Sequence, residues 1–154
     1  MQLGKAIRHA SKDIRVGTHE PVVKLVCEQL TISCVIEDGM GKSSTPLFHK
    51  LNIPVIFSFE QRQEWSKCRD CLNGTTLTHK ITIGEVNKEF LSQTQINFDE
   101  TLAFVDGFSA TTRLEAFKLI SEFLPVAIVE HDADAYSEEE ILARQNKDYN
   151  IFQF

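Results

Sequence analysis

The chain lacks a positive charge balance. Lys and Arg total 16 against 22 Asp and Glu, which gives a formal net charge of −6 over 154 residues. Nonspecific binding to nucleic acid or to an anionic membrane depends on a basic surface, so neither is expected as a partner. There is no apolar run long enough to cross a bilayer. Residues 1–15, MQLGKAIRHASKDIR, have no apolar signal core, and the expected compartment is the cytoplasm. Repeats, low-complexity tracts and Gly/Ser linkers are also missing, so residues 1–154 read as a single domain around one core. Cysteine is sparse: Cys27, Cys34, Cys68 and Cys71. Cys68-x-x-Cys71 has no second CxxC to complete a four-thiolate zinc site, and it falls inside a helical pattern rather than at a helix start. These four are expected to be ordinary thiols.

What is present is an alternation of short apolar runs with amphipathic stretches. Strands are expected at 32–38 (ISCVIED), 53–60, 79–86, 101–107 and 125–132, with a last one at 149–154. Helices are expected at 20–30, 42–51, 61–72, 110–124 and 137–145. Residues 87–100 fit either an irregular stretch or a poor helix. Such alternation implies an α/β fold with a parallel sheet covered on both faces. Ligands of these sheets lie outside the carboxyl ends of the strands, near the switch point. The residues to inspect are therefore Glu37 to Gly41, Glu60, Gly84-Glu85, Asp106-Gly107 and Glu130 to Asp134.

The turn VIEDGMGKSSTPLF, residues 35–48, carries two phosphate-style signatures. Gly41-Lys42-Ser43 resembles the end of a P-loop, but that loop needs a glycine five residues before Gly41, where Ile36 stands. The other reading asks for less: a strand ending in a tight turn with Gly39 and Gly41, and an acid at the end of the next strand to take ribose hydroxyls. Glu60 stands nineteen residues after Gly41, near the expected interval.

With those residues in hand the chain resembles the class I S-adenosylmethionine-dependent methyltransferases, in particular the small O-methyltransferase-like group. The resemblance spans roughly residues 17–134. Val35 to Gly41 resembles the first motif of that family, Phe57 to Trp65 the second, Gly84-Glu85 the third, Phe104 to Gly107 the fourth, and Ile128 to Asp132 the polar end of the fifth strand. It implies a three-layer Rossmann-like domain with a mainly parallel sheet. The C-terminal strands would be trimmed, because only about twenty residues follow the fifth strand. It implies S-adenosylmethionine as cofactor, held by Glu37, Gly39, Gly41, Glu60, Gln61, Glu85 and Asp106. Glu37 would meet the ammonium group, Glu60 the ribose and Glu85 the adenine. Ser43 and Asp38 depart from the motif, which usually has a third glycine and an apolar residue there.

Asp106, His131 and Asp132 form the expected reaction centre. In the metal-dependent O-methyltransferases that this chain resembles, matching positions hold Mg²⁺. A histidine in the set suits a transition metal better, so a divalent metal on Asp106, His131 and Asp132 stays open. The alternative is His131 as general base, oriented by Asp106 or Asp132; a third option is a polar strand end without chemistry. His19 precedes the first helix; the resemblance puts that segment over the cofactor mouth, while the residues alone read as a capping loop with Thr18 as N-cap. His49 and His79 belong to no constellation. Nucleobase amino methylation is disfavoured, since Asp106-Gly107-Phe108-Ser109 replaces the Asn/Asp-Pro-Pro-aromatic pattern of those enzymes. The expected activity is O-methylation of a small molecule. A P-loop-like phosphotransferase and a catalytically inactive Rossmann-like binding protein are the alternatives. A homo-oligomer is compatible with either.

Overall fold

The computed structural model describes residues 19–66 and 78–131. Cys68, Cys71, Asp132, Thr18 and the helix and strand expected at 137–145 and 149–154 lie outside them.

Five strands, β1 (Cys34–Asp38), β2 (Val55–Glu60), β3 (Thr78–Ile83), β4 (Thr101–Val105) and β5 (Ala127–Glu130), form one sheet in the order β3-β2-β1-β4-β5. Every pairing is parallel. The helices are α1 (Glu20–Gln29), α2 (Ser44–Lys50), α3 (Gln63–Ser66), α4 (Lys88–Gln93) and α5 (Ala110–Ser121). This is a Rossmann-like α/β domain, as the alternation in the sequence implies.

A parallel strand in the middle of a sheet is covered on both faces, so its residues are buried throughout rather than alternately. β1 and β4 obey this: every residue of each is buried. Period two then divides their side chains between two cores. Val35, Ile56, Leu102 and Phe104 pack with Val22, Val23 and Val26 of α1 and Leu47 and Phe48 of α2. Ile36, Phe59, Ala103 and Val105 pack on the opposite face with Leu91 of α4 and Ala116 and Ile120 of α5. The outcome is helix, sheet, helix in three layers.

Residues 87–100, ambiguous in sequence, form α4 and a 3₁₀ turn over Phe98–Glu100. Each begins at an asparagine that satisfies an otherwise orphaned amide: Asn87 accepts from Phe90 N at 2.9 Å and Asn97 from Asp99 N at 3.1 Å. α5 starts with a reciprocal capping box between Ser109 and Thr112 and stops before Leu124, whose φ of 52° leaves the helical region ahead of Pro125.

Phe104 is fully buried and makes edge contacts with the rings of Phe48 at 5.6 Å and His19 at 5.0 Å. A Phe104→Ala change therefore empties the junction of β4, α1 and α2 and should cost about 3–5 kcal/mol in urea denaturation.

Candidate functional site

The site grows from the turn after β1. Gly39 has φ 89°, a left-handed conformation that favours glycine. A Cβ there would lie 2.3 Å from the Asp106 carbonyl oxygen, so the turn is held against the end of β4 by absence of a side chain. Asp106 N donates to Asp38 O at 2.7 Å and Gly39 N donates to Phe59 O at 2.8 Å, so the turn is anchored to both neighbouring strands. The carboxylate of Glu60, at the end of β2, clamps it further. Its Oε2 accepts from Met40 N at 2.8 Å and its Oε1 from Arg62 N at 2.7 Å. A Cβ on Gly41 would approach Ser44 Oγ to 2.9 Å, and one on Gly107 would approach Asp38 Oδ2 to 2.7 Å.

These backbone turns enclose a cavity of about 380 Å³ outside the carboxyl ends of β1, β2, β4 and β5. It lies where the chain switches from the β2 side of β1 to the β4 side, as the strand order requires. The volume suits a small molecule. Its acids are the buried Asp38 and Glu60, the floor, with half-buried Asp106; its cations are the exposed Lys42 and Arg62, the rim, with half-buried Arg113. The Arg62 guanidinium sits 4.1 Å from the Phe108 ring centroid, and Lys42 Nζ 5.6 Å from that of Trp65. Arg113 Nη1 donates to Gly107 O at 3.1 Å. Asp106 Oδ1 and His131 Nδ1 are 3.1 Å apart, and the His131 ring meets that of His19 edge-on at 5.0 Å.

Of the residues expected from sequence, Gly39, Gly41, Glu60, Gln61, Asp106 and His131 line this one cavity. Glu85 stands outside the lining, linked to Gln61 by a 3.0 Å hydrogen bond. Glu37 is fully buried and faces the α1 and α2 core, where Ser44, Thr45 and Ser58 donate to it. Its route to the cavity is through Ser44, which lines it. His19 lines the cavity as the N-terminal flank of α1, without a side-chain capping bond. Trp65 belongs to the cavity wall rather than the core. Arg62, Phe108 and Arg113 were not singled out by the sequence. Arg62 and Phe108 stand two or three residues beyond β2 and β4, close enough to strand ends to have been included; Arg113 enters from the first turn of α5, which only the packing reveals. Five residues, 39–43, separate β1 from α2, and Ile36 is buried inside β1. That connection is too short to wrap phosphates as a P-loop does.

Two adjacent acids are displaced in the same direction. Burial pushes the Glu37 carboxyl up from 4.5 to about 7, against the opposing effect of the hydroxyls that bond it. Burial likewise raises Asp38 from 3.8 to about 7, helped by the charges of Glu85, Glu60 and Asp106 and opposed by a backbone bond from Val86. Asp38 Oδ2 is buried and has no hydrogen-bond partner among the described residues. Cys27 and Cys34 are also raised by burial, to about 11 and about 12, which keeps both as unreactive thiols.

Among the described residues no group of three or more His, Cys, Asp or Glu is placed to hold a metal ion. Asp132, the third member of the expected metal set, lies outside them. No helix among the described residues is long and apolar enough to cross a membrane.

No protein-family model and no curated protein matches the chain. Among solved structures, a crystal structure of a mutant of MtNAS is similar to it with a TM-score of 0.42 and 8% sequence identity. The match covers 83% of this chain and 53% of that one, so this chain spans about half the length of that protein.

Two measurements probe this geometry. Gly39→Ala should destabilise the fold by roughly 2–4 kcal/mol, since it adds a backbone clash to a strained φ; chemical denaturation reads it. Asp38 binds its proton more tightly folded than unfolded. Its contribution is complete below pH 3.8 and is lost as pH rises through about 7. Wild-type stability should therefore decline across that window, and Asp38→Asn should remove on the order of 2 kcal/mol of the decline in urea melts taken over a pH series. An unchanged slope would assign the proton elsewhere.

Proposed function

We propose that the chain is an S-adenosylmethionine-dependent methyltransferase acting on an oxygen of a small molecule. The observation that carries this reading is the position of Glu60. Its carboxylate stands at the end of β2, lines the cavity and accepts from Met40 N in the glycine turn at 2.8 Å. A carboxylate so placed, beside a close backbone turn, is arranged to accept a pair of ribose hydroxyls. Each of its oxygens has one bond to a backbone amide, which fixes its orientation and leaves acceptor capacity. Gln61 lines the cavity beside it and donates to Glu85, which stands outside the lining and would reach the base only from there.

S-adenosylmethionine, when bound, supplies an activated methyl group, and the protein's task is orientation and electrostatics. Met40 and Gly41 present backbone to the ligand. Asp106 holds the His131 ring through Nδ1, and Nε2 is the nitrogen that would take the proton of a substrate hydroxyl. The rim cations Lys42, Arg62 and Arg113 favour an acceptor or cofactor group that carries negative charge at the mouth.

Calorimetry with S-adenosylmethionine and S-adenosylhomocysteine tests the reading directly. Binding in the micromolar range is expected, and a folded protein that gives no heat with either at millimolar concentration would sink it. Gly41→Leu should abolish that binding while Lys42→Ala weakens it only a few-fold. The reverse pattern, with ATP bound through Lys42, would mark a phosphotransferase instead.

A further inference from the structure

Behind the glycine turn, on the sheet face covered by α1 and α2, hydrogen bonds run unbroken through four elements. His49 Nε2 on α2 is 3.0 Å from His79 Nδ1 on β3. His79 Nε2 is 2.9 Å from Ser58 Oγ on β2. Ser58 Oγ donates to Glu37 Oε2 on β1 at 2.5 Å, and Ser44 and Thr45 donate to Glu37 Oε1, each at 2.8 Å.

With both histidines neutral, the charge state of Glu37 sets the direction of each link. Ser58 has one hydroxyl proton. With Glu37 ionised, that proton points to the carboxylate, so Ser58 accepts from His79, which must be protonated at Nε2. Neutral His79 then accepts at Nδ1, and His49 must carry its proton on Nε2. With Glu37 protonated on Oε2, the oxygen that Ser58 bonds, the line reverses. Glu37 donates to Ser58, Ser58 to His79 Nε2, and His79 Nδ1–H to His49 Nε2, which leaves the His49 proton on Nδ1. One proton added at His49 Nδ1, an atom that is buried and has no hydrogen-bond partner among the described residues, with one passed along each link, converts the first state into the second. Only Glu37 changes its total proton count, and no hydrogen bond in the line is lost.

We propose that His49, His79 and Ser58 form a proton relay that sets the charge of Glu37 beneath the glycine turn, the two histidines being positioning residues for a cationic ligand in the cavity. Ser44 couples the two compartments, since it donates to Glu37 and lines the cavity. On this face α1 contributes the Cys27 thiol, kept protonated by burial, and the His19 ring ahead of α1 meets Phe104. α1 also contributes valines to this face, α2 contributes His49 with the two hydroxyls, β3 contributes His79, and the charge of Asp106 at the end of β4 opposes ionisation of Glu37. Burial brings Glu37 to about 7 and lowers His49, so the line changes direction near neutral pH, before His49 takes up a second proton. A charged Glu37 in this dry interior favours a sulfonium over the neutral thioether left after methyl transfer, a consequence that rests on the methyl-donor reading; the relay does not.

The relay is tested on the full chain with ¹⁵N-labelled histidine. Above pH 8 the ring nitrogens of His49 and His79 should both report the Nε2–H tautomer. On acidification both should switch to Nδ1–H in one shared transition near pH 7. Ser58→Ala should disconnect the histidine pair from Glu37, and Glu37→Gln, nearly isosteric and without a titrating group, should remove the group that drives the switch, so each should abolish the shared transition near pH 7. Separate titrations of the two rings in the wild type, or a shared transition that survives both variants, would overturn the proposal. In parallel calorimetry, the preference for S-adenosylmethionine over S-adenosylhomocysteine should rise roughly fivefold from pH 6 to pH 8 and stay flatter in Glu37→Gln. A preference independent of Glu37 overturns the coupling to the cavity. A shared transition with neither ligand bound upholds the relay and removes the methyl-donor reading.

Discussion

The close approach of Gly39 to the backbone of Asp106 is the constraint on which the rest of the site depends. Neighbouring parallel strands diverge beyond their last shared hydrogen bond. Here β1 and β4 are still joined by Asp106 N to Asp38 O when the chain turns away at Gly39. A side chain at that point would have to occupy the space of the Asp106 carbonyl. Because it has none, the turn can stay low, Met40 N reaches Glu60, and the connection to α2 is complete in five residues. Gly39 thus serves the chain's own packing first, and the cavity exists because the turn is pinned to two strands.

The next consequence concerns Glu37 and Asp38. Adjacent residues on a strand point to opposite faces, so these two acids enter different surroundings. Glu37 continues the row of Val35 into the α1 and α2 core and meets three hydroxyl donors. Asp38 continues the row of Ile36 and ends beneath Gly107, with one oxygen lacking a partner among the described residues. Burying a carboxylate is costly unless it is hydrogen-bonded or neutral. The sheet meets that requirement twice, by hydroxyls on one face and by proton uptake near neutrality on the other. Neither arrangement is the cheapest way to finish a strand, which connects both acids with the site rather than with stability.

Much of this architecture was legible. Ile36, Phe59, Ala103 and Val105 lie in near-continuous apolar runs, and such runs alternating with amphipathic stretches point to a covered parallel sheet. The strand ends then lead to Gly39, Gly41, Glu60, Asp106 and His131, which the fold gathers around one cavity. What stayed hidden depends on contacts between distant segments. Nothing in the spacing of His49 and His79 predicts that α2 and β3 bring His49 Nε2 within 3.0 Å of His79 Nδ1. The burial of Glu37 follows from period two, but its three hydroxyl donors come from β2 and α2 and need the register of the sheet. Asn87 and Asn97, by contrast, were readable as helix caps, and the ambiguity of residues 87–100 came from weighing apolar periodicity alone.

The charge distribution gives the cavity a direction. Asp38, Glu60 and Asp106 sit at the base because acids terminate the strands, whereas Lys42, Arg62 and Arg113 come from the connections and from α5. Arg62 and Lys42 are steadied against Phe108 and Trp65, so the cations stay at the mouth instead of collapsing onto the floor carboxylates. A field across a confined space with low-dielectric walls is only weakly screened. Such a field would turn a ligand with a positive and a negative end so that the positive end faced the strands. The buried Glu37 stands outside the lining, behind Ser44, and its charge adds to that field when it is ionised.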